Sequence, residues 1–273
     1  MKYDPIKKSL GKVFNKKPFL RKIFYKLLDL LLLRAWYVKK ELREWKKTVS
    51  DKKISILDAG SGFGQYVYFM STLGKSWKIK GVDVKDEQIE DCNQFFTKIN
   101  EQERISFGYA DLTKLNEPKA YDLILCVDVM EHIEEDVKVF ENYYSTLKDD
   151  GMLLISTPSD MSDHDHDHDH DEQASFVDEH VRDGYDIEDI TEKLKKAGFT
   201  KIEAKYSYGK PGQIAWKLSM KFPIIVLNIS QIFFILLPLY YSIVYPWAFI
   251  LNYLDLQGTH KEGGGLVVKA WKK

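Results

Sequence analysis

Leu57-Asp58-Ala59-Gly60-Ser61-Gly62-Phe63-Gly64 lies between two different hydrophobic periods. Before it, Ile54 to Leu57 is an apolar run of strand length. After it, Tyr66, Phe69, Met70 and Leu73 recur at helical spacing. The glycines at 60, 62 and 64 therefore sit in a strand-to-helix turn, where missing side chains let a ligand approach the backbone. A dinucleotide loop would want glycine at position 65, which is Gln65, and would grip a pyrophosphate. Asp58 would repel that group and attract a cationic amine or sulfonium. The turn favours a zwitterionic ligand.

Outward from this turn the same alternation repeats. Ile79 to Val82, Ile105 to Phe107, Leu123 to Val127 and Met152 to Ser156 read as strands two to five. Ile89, Cys92, Phe96 and Ile99 mark one intervening helix face, and Val137, Phe140, Tyr144 and Leu147 another. Repeated β-α-β units predict a parallel sheet with helices on both faces. Asp186 can cap a helix bearing Ile187, Ile190 and Leu194, with Gly198 as its stop. Thr200–Tyr208 and Gly265–Trp271 read as two final strands. The expected fold is α/β, a seven-stranded Rossmann-like sheet.

Acidic residues recur where the strands of such a sheet end. Asp83, twenty-five residues after Asp58, can accept both ribose hydroxyls of a nucleoside, with Val84 beside it. Asp111, followed by Leu112, can accept from an adenine amino group. Asp83 and Asp111 would each also suit a helix cap. Asp128 follows strand four and faces the amino-acid end of the same pocket.

Together these residues resemble the class I S-adenosylmethionine-dependent methyltransferases, especially the small-molecule branch that includes quinone-biosynthesis enzymes. Asp58, Gly60, Ser61, Gly62 and Gly64 match that family's first motif, Asp83 its ribose-binding acid, and Asp111 its adenine contact. Asp122 to His132 match its fourth motif, and the last two strands its antiparallel hairpin. The resemblance spans about 53–200 plus the hairpin. It implies S-adenosylmethionine as cofactor and leaves the acceptor open.

Methyl transfer from a sulfonium needs positioning and desolvation, and a base only where the acceptor must lose a proton. His132 and His180 both follow strands at the active rim and suit that role, as they also suit polar packing or capping. Asp163 to Asp171 alternates five aspartates with four histidines. One reading is a divalent-metal loop or a pH-sensitive lid over the substrate mouth. The favoured one is a solvated acidic loop that binds metal only incidentally, because alternating ligands without a fixed scaffold lack preset geometry, and no resident metal is expected.

Apolar residues are 44% of the 273 and charged residues 30%, which excludes a disordered chain. The net charge of -1 hides an asymmetry: residues 1–47 carry fifteen Lys/Arg against four acids, leaving the remainder strongly acidic. Phe19, Ile23, Phe24, Leu27, Leu28, Leu31 and Leu32 share a helical face beside these cations, the pattern of a helix lying on an anionic membrane. Two cysteines, Cys92 and Cys126, form no disulfide framework and suit a reducing compartment. No cleavage site follows the basic start, so no signal peptide is expected.

Phe222 to Leu254 is uncharged for thirty-three residues, with Pro223, Pro238 and Pro246 as expected breaks. One crossing would put the last two strands on opposite sides of a bilayer, and two crossings would be too short. The segment is therefore expected to be an in-plane helical hairpin or a lid, with Tyr240, Tyr241, Tyr245, Trp247 and Tyr253 at the interface. Residues 1–47 form a surface arm, 48–210 with 260–273 the catalytic domain, and 211–259 the insertion. The expected protein is cytoplasmic and monotopic on the inner membrane face, with an amphiphilic acceptor, no nucleic acid and an open oligomeric state. The rival expectations are a nucleic-acid methyltransferase recruited by the arm and a non-catalytic cofactor-binding scaffold.

Overall fold

The computed structural model describes residues 17–49, 53–163 and 181–273. Seven strands, β1 (Ser55–Ala59), β2 (Lys78–Asp83), β3 (Ile105–Tyr109), β4 (Tyr121–Val127), β5 (Leu147–Pro158), β6 (Lys201–Ser207) and β7 (Gly265–Trp271), form one sheet. Its order is β3-β2-β1-β4-β5-β7-β6. The first five strands run parallel, and β7 lies antiparallel between β5 and β6. The order of the strands reverses between β1 and β4, and the crevice at their carboxyl ends is where such sheets take ligands.

Strand side chains alternate between two apolar layers, as the two-residue period requires. Ile56, Ile79, Leu123 and Leu154 face one layer, while Leu57, Val82, Ile124 and Ile155 face the other. Helices α1 (Pro18–Leu31), α2 (Leu33–Thr48), α3 (Gln65–Leu73) and α4 (Asp86–Lys98) cover the first layer. Helices α5 (Asp136–Thr146) and α6 (Ile187–Lys196) cover the second. Asp186 caps α6 by accepting from the Asp189 amide, and Gly198 follows the helix at φ +110°, both as the sequence predicts. Cys92 and Cys126 are free and buried.

Helix α2 enters the core: Leu33, Ala35, Tyr37, Val38, Leu42 and Trp45 are buried in the first layer. Its charged residues are paired where they go under. Lys39 pairs with Asp29, and Glu41 receives Lys205 at 2.5 Å and Lys269 at 3.0 Å from β6 and β7.

The insertion is helical, as expected, and its breaks fall differently from the expected ones. After α7 (Lys210–Trp216) and a π turn come α8 (Phe222–Ile229), a 3-10 turn, and the long α9 (Leu237–Gln257). The chain breaks at Ser230, whose backbone is extended. Pro223 and Pro238 occupy first-turn positions, where a missing N–H costs nothing. Pro246, expected as a break, lies inside α9. It is exposed there.

Three tyrosine hydroxyls of the insertion find partners within the protein. Tyr240 and Tyr241 donate to the carbonyls of Leu218 and Ser219, at 2.6 and 2.8 Å, and Tyr245 to that of Leu30. The first two of these carbonyls belong to the π turn. The buried Asp255 then ties the insertion down, accepting from the Tyr37 hydroxyl at 2.7 Å and the Gly212 amide at 2.9 Å. Among the described residues, no helix is long and apolar enough to cross a membrane.

Candidate active site

The turn after β1 is a chain of left-handed residues, with φ of +78° at Gly60, +49° at Gly62 and +73° at Gly64. At Gly60 a Cβ would lie 2.2 Å from Val129 Cγ2, so glycine is required by space as well as by conformation. At Gly62 the nearest atom to a Cβ would be 4.0 Å away, so the backbone there borders open volume.

The turn's amides are already engaged. Those of Gly60 and Ser61 donate to the Val82 carbonyl, each at 2.9 Å, and that of Gly64 to the Ser61 carbonyl at 2.8 Å. The Gly62 amide donates to Asp83 Oδ2 at 2.9 Å. A pyrophosphate nest needs such groups open. Around the crevice mouth stand Asp58, Asp83, Asp111 and Asp128, at or just beyond the ends of β1, β2, β3 and β4. The site is built for a ligand with positive charge.

Each acid is held differently. Asp83 fixes the turn through Gly62 and accepts from the Lys85 amide at 3.0 Å, with further lone pairs on both oxygens. Val84 beside it is exposed. Asp111 acts as the cap that the sequence also allowed: Oδ1 takes the Thr113 amide and hydroxyl, and Oδ2 takes Lys114 at 2.9 Å. The Thr113 and Lys114 hydrogen bonds hold its carboxyl down at about 2. Leu112 is buried below it. Asp128 adopts φ +51° and pairs with the Arg34 guanidinium.

Asp58 is buried with Oδ2 lacking a hydrogen-bond partner, and the Ser61 and Tyr66 hydroxyls are equally orphaned. Burial, then the Asp83 carboxylate, pushes Asp58 up to about 8. Such atoms fit a polar ligand that completes them. Since the unfolded value is about 3.9, the fold loses stability as pH climbs from about 4 to about 8. A bound ammonium or sulfonium stabilises the carboxylate and lowers Asp58 again. Cofactor binding at pH 7 is thus expected to release about one proton, with affinity rising towards pH 8. Calorimetry in two buffers of different ionisation heat checks this, and Asp58→Asn should abolish the release.

His132 is exposed on the 3-10 turn Met130–His132 after β4. Beside it Glu131 is buried and receives the Thr157 hydroxyl at 3.2 Å. His180 and the aspartate–histidine run from 164 onward lie outside the described residues. Among the described residues, no group of three or more His, Cys, Asp or Glu is arranged to hold a metal.

The sequence reading missed Arg34, Tyr66 and Tyr208. Arg34 looks like one cation among many in the basic segment, yet it follows the break at Leu32 and reaches the end of β4. Its backbone amide donates to the Tyr208 hydroxyl at 2.9 Å, which ties α2 to the exit of β6. One signal was legible: a lone arginine inside the apolar stretch Leu30 to Trp36.

A switch-point crevice lined with carboxylates, on a sheet ending in an antiparallel hairpin, is the architecture of the Rossmann-like methyltransferases, the class that uses S-adenosylmethionine. The chain belongs to the methyltransferase-domain family, which it matches over residues 50–204. The ubiquinone biosynthesis O-methyltransferase of Pelagibacter ubique is 30% identical over 129 residues, 46% of this chain and 52% of that protein. The chain spans about half the length, or less, of the curated relatives it matches.

The phosphoethanolamine N-methyltransferase 2 of Haemonchus contortus, solved with S-adenosyl-L-methionine, superposes with a TM-score of 0.58 at 20% identity. It covers 87% of this chain and 52% of that one. A [4+2]-cyclase superposes at 0.56 with 17% identity, covering 86% and 80%. These likenesses are of fold, and the cyclase shows that fold alone does not fix a reaction.

Proposed function

We propose that this chain transfers a methyl group from S-adenosylmethionine to an amphiphilic acceptor at a membrane surface. The acceptor is of the prenylated-phenol or quinone-precursor kind, a class suggested by the relatives' names. One observation carries the membrane part. The insertion leaves β6 at Ser207 and returns at Gly265, which pairs with Pro158 at the carboxyl end of β5. It therefore rises from the same sheet edge as the cofactor crevice.

Its outer surface is apolar. Leu239, Ile243, Trp247, Ile250 and Leu254 follow one stripe of α9, each about half exposed or more, and Ile232 and Ile235 stand out at the tip. A free surface of this kind marks a protein or membrane contact. Being uncharged, the stretch 222–254 offers nothing to a nucleic-acid backbone.

In the crevice, Asp83 would hold the ribose and Asp111 the adenine amino group between Val84 and Leu112. Asp58 and Asp128 would face the ammonium, and Arg34 the carboxylate. Bound there, the cofactor supplies an electrophilic methyl on a sulfonium. His132 and His180 are the proposed bases, taking a hydroxyl proton from the acceptor onto an imidazole nitrogen.

The membrane part is tested by co-sedimentation with anionic vesicles. The double variant Ile243→Asp, Trp247→Asp touches only exposed positions. At roughly 1.5–3 kcal/mol per buried apolar side chain, it should weaken partitioning at least about a hundredfold. Wild-type protein left wholly in the supernatant would contradict the reading.

A further inference from the structure

Helix α1 buries two polar side chains and leaves large apolar ones in the open. Its two buried side chains are Arg21 and Tyr25, while Phe19, Leu27 and Leu30 are exposed. At 100° per residue Phe19, Ile23, Lys26 and Leu30 fall on one face, with Arg21 and Tyr25 opposite. A helix docked on a protein core normally turns its apolar side inward.

The inward pair grips the cofactor turn. Arg21 Nη2 donates to the Phe63 carbonyl at 2.9 Å, and the Tyr25 hydroxyl donates to the same oxygen at 2.5 Å. Arg21 Nε donates to the Tyr25 hydroxyl at 3.0 Å. Two turns on, Asp29 Oδ1 accepts from Gln65 at 2.7 Å. Phe63 stands between the left-handed Gly62 and Gly64, so fixing its carbonyl fixes the path that sends the Gly62 amide to Asp83.

The outward face continues the insertion's surface. Tyr245 donates to the Leu30 carbonyl at 3.3 Å, and the Trp36 ring meets Phe249 edge-on at 4.9 Å. Exposed Lys17 and Lys26 flank the apolar residues of α1, so charge selects an anionic lipid surface as the occupant.

We propose that docking of α1 on anionic lipid and binding of cofactor are coupled, each strengthening the other. The coupling rests on the membrane reading above. Lipid orders the outer face, the inner face then holds the turn in its binding shape, and the cofactor completes what remains. Linkage makes the effect reciprocal: the factor by which vesicles tighten cofactor binding equals the factor by which cofactor tightens vesicle binding.

The test uses the full chain, S-adenosylhomocysteine, and vesicles of phosphatidylcholine with or without phosphatidylglycerol. Calorimetry should show binding about fivefold tighter or more with anionic vesicles, and co-sedimentation the same factor in reverse. Phe19→Glu with Leu30→Glu, both outward, should keep affinity in vesicle-free buffer and residual vesicle binding through the insertion, yet lose the enhancement. Tyr25→Phe, which keeps the ring and removes one grip on Phe63, should reduce the enhancement. Vesicle binding with unchanged cofactor affinity in the wild type would overturn the coupling and leave the membrane reading standing. Full enhancement in the Phe19/Leu30 variant would overturn it too, and no vesicle binding at all would overturn both.

Discussion

Gly60→Ala is expected to destabilise the fold by roughly 2–5 kcal/mol and to abolish cofactor binding. Two costs combine. A side chain at φ +78° costs about 1–2 kcal/mol in the left-handed region. The new Cβ, 2.2 Å from Val129 Cγ2, also pushes against the turn carrying Asp128 and Glu131, at about 1–3 kcal/mol for overpacking. At about 2–4 °C per kcal/mol for a chain of this size, the melting midpoint should fall by roughly 4–20 °C. Adding Val129→Ala should recover the steric part and leave the conformational part. An unchanged midpoint in Gly60→Ala would mean that the turn is not held as described.

Asp83→Ala should weaken S-adenosylhomocysteine binding by roughly 10- to 150-fold. That corresponds to about 1.5–3 kcal/mol for charge-assisted hydrogen bonds to the ribose. The variant also leaves the Gly62 and Lys85 amides without their acceptor, so the turn loosens as the ligand contact disappears. A second readout separates this from a general loss of fold. Asp83 helps to raise Asp58, so removing it should lower Asp58 from about 8 and shrink the proton release at pH 7. Unchanged affinity by calorimetry would take Asp83 out of the ribose site.

Much of the catalytic fold was legible because its strands are buried on both faces. A parallel sheet under two helix layers turns each strand into an apolar run, and the glycine turn after β1 sets the register of everything else. Gly265–Trp271 matched residue for residue, and 201–207 lay within the expected 200–208. Strand β5 began earlier than expected, because Leu147 pairs with Tyr121 across an irregularity before the apolar run starts.

Helix α2 was harder to place, since Lys39 and Glu41 read as surface charge. Each is buried against a partner distant in sequence, and pairing of that kind has no local signature. In the insertion, residues apolar all round carry no period to show which side faces out, so neither the stripe on α9 nor the inward tyrosine hydroxyls could be read. At the site, the acids of the crevice were found by spacing after strand ends. Arg34, Tyr66 and Tyr208 were not, because the break at Leu32 and the end of β6 bring them there.

Methyl transfer itself is tested most directly by incubating the full chain with methyl-labelled S-adenosylmethionine and a lipid extract, with RNA in parallel. Mass spectrometry should find the label in a lipid-soluble, quinone-like product and none in the RNA. Label appearing in RNA alone, or in neither while calorimetry shows the cofactor bound, would contradict methyl transfer to an amphiphilic acceptor.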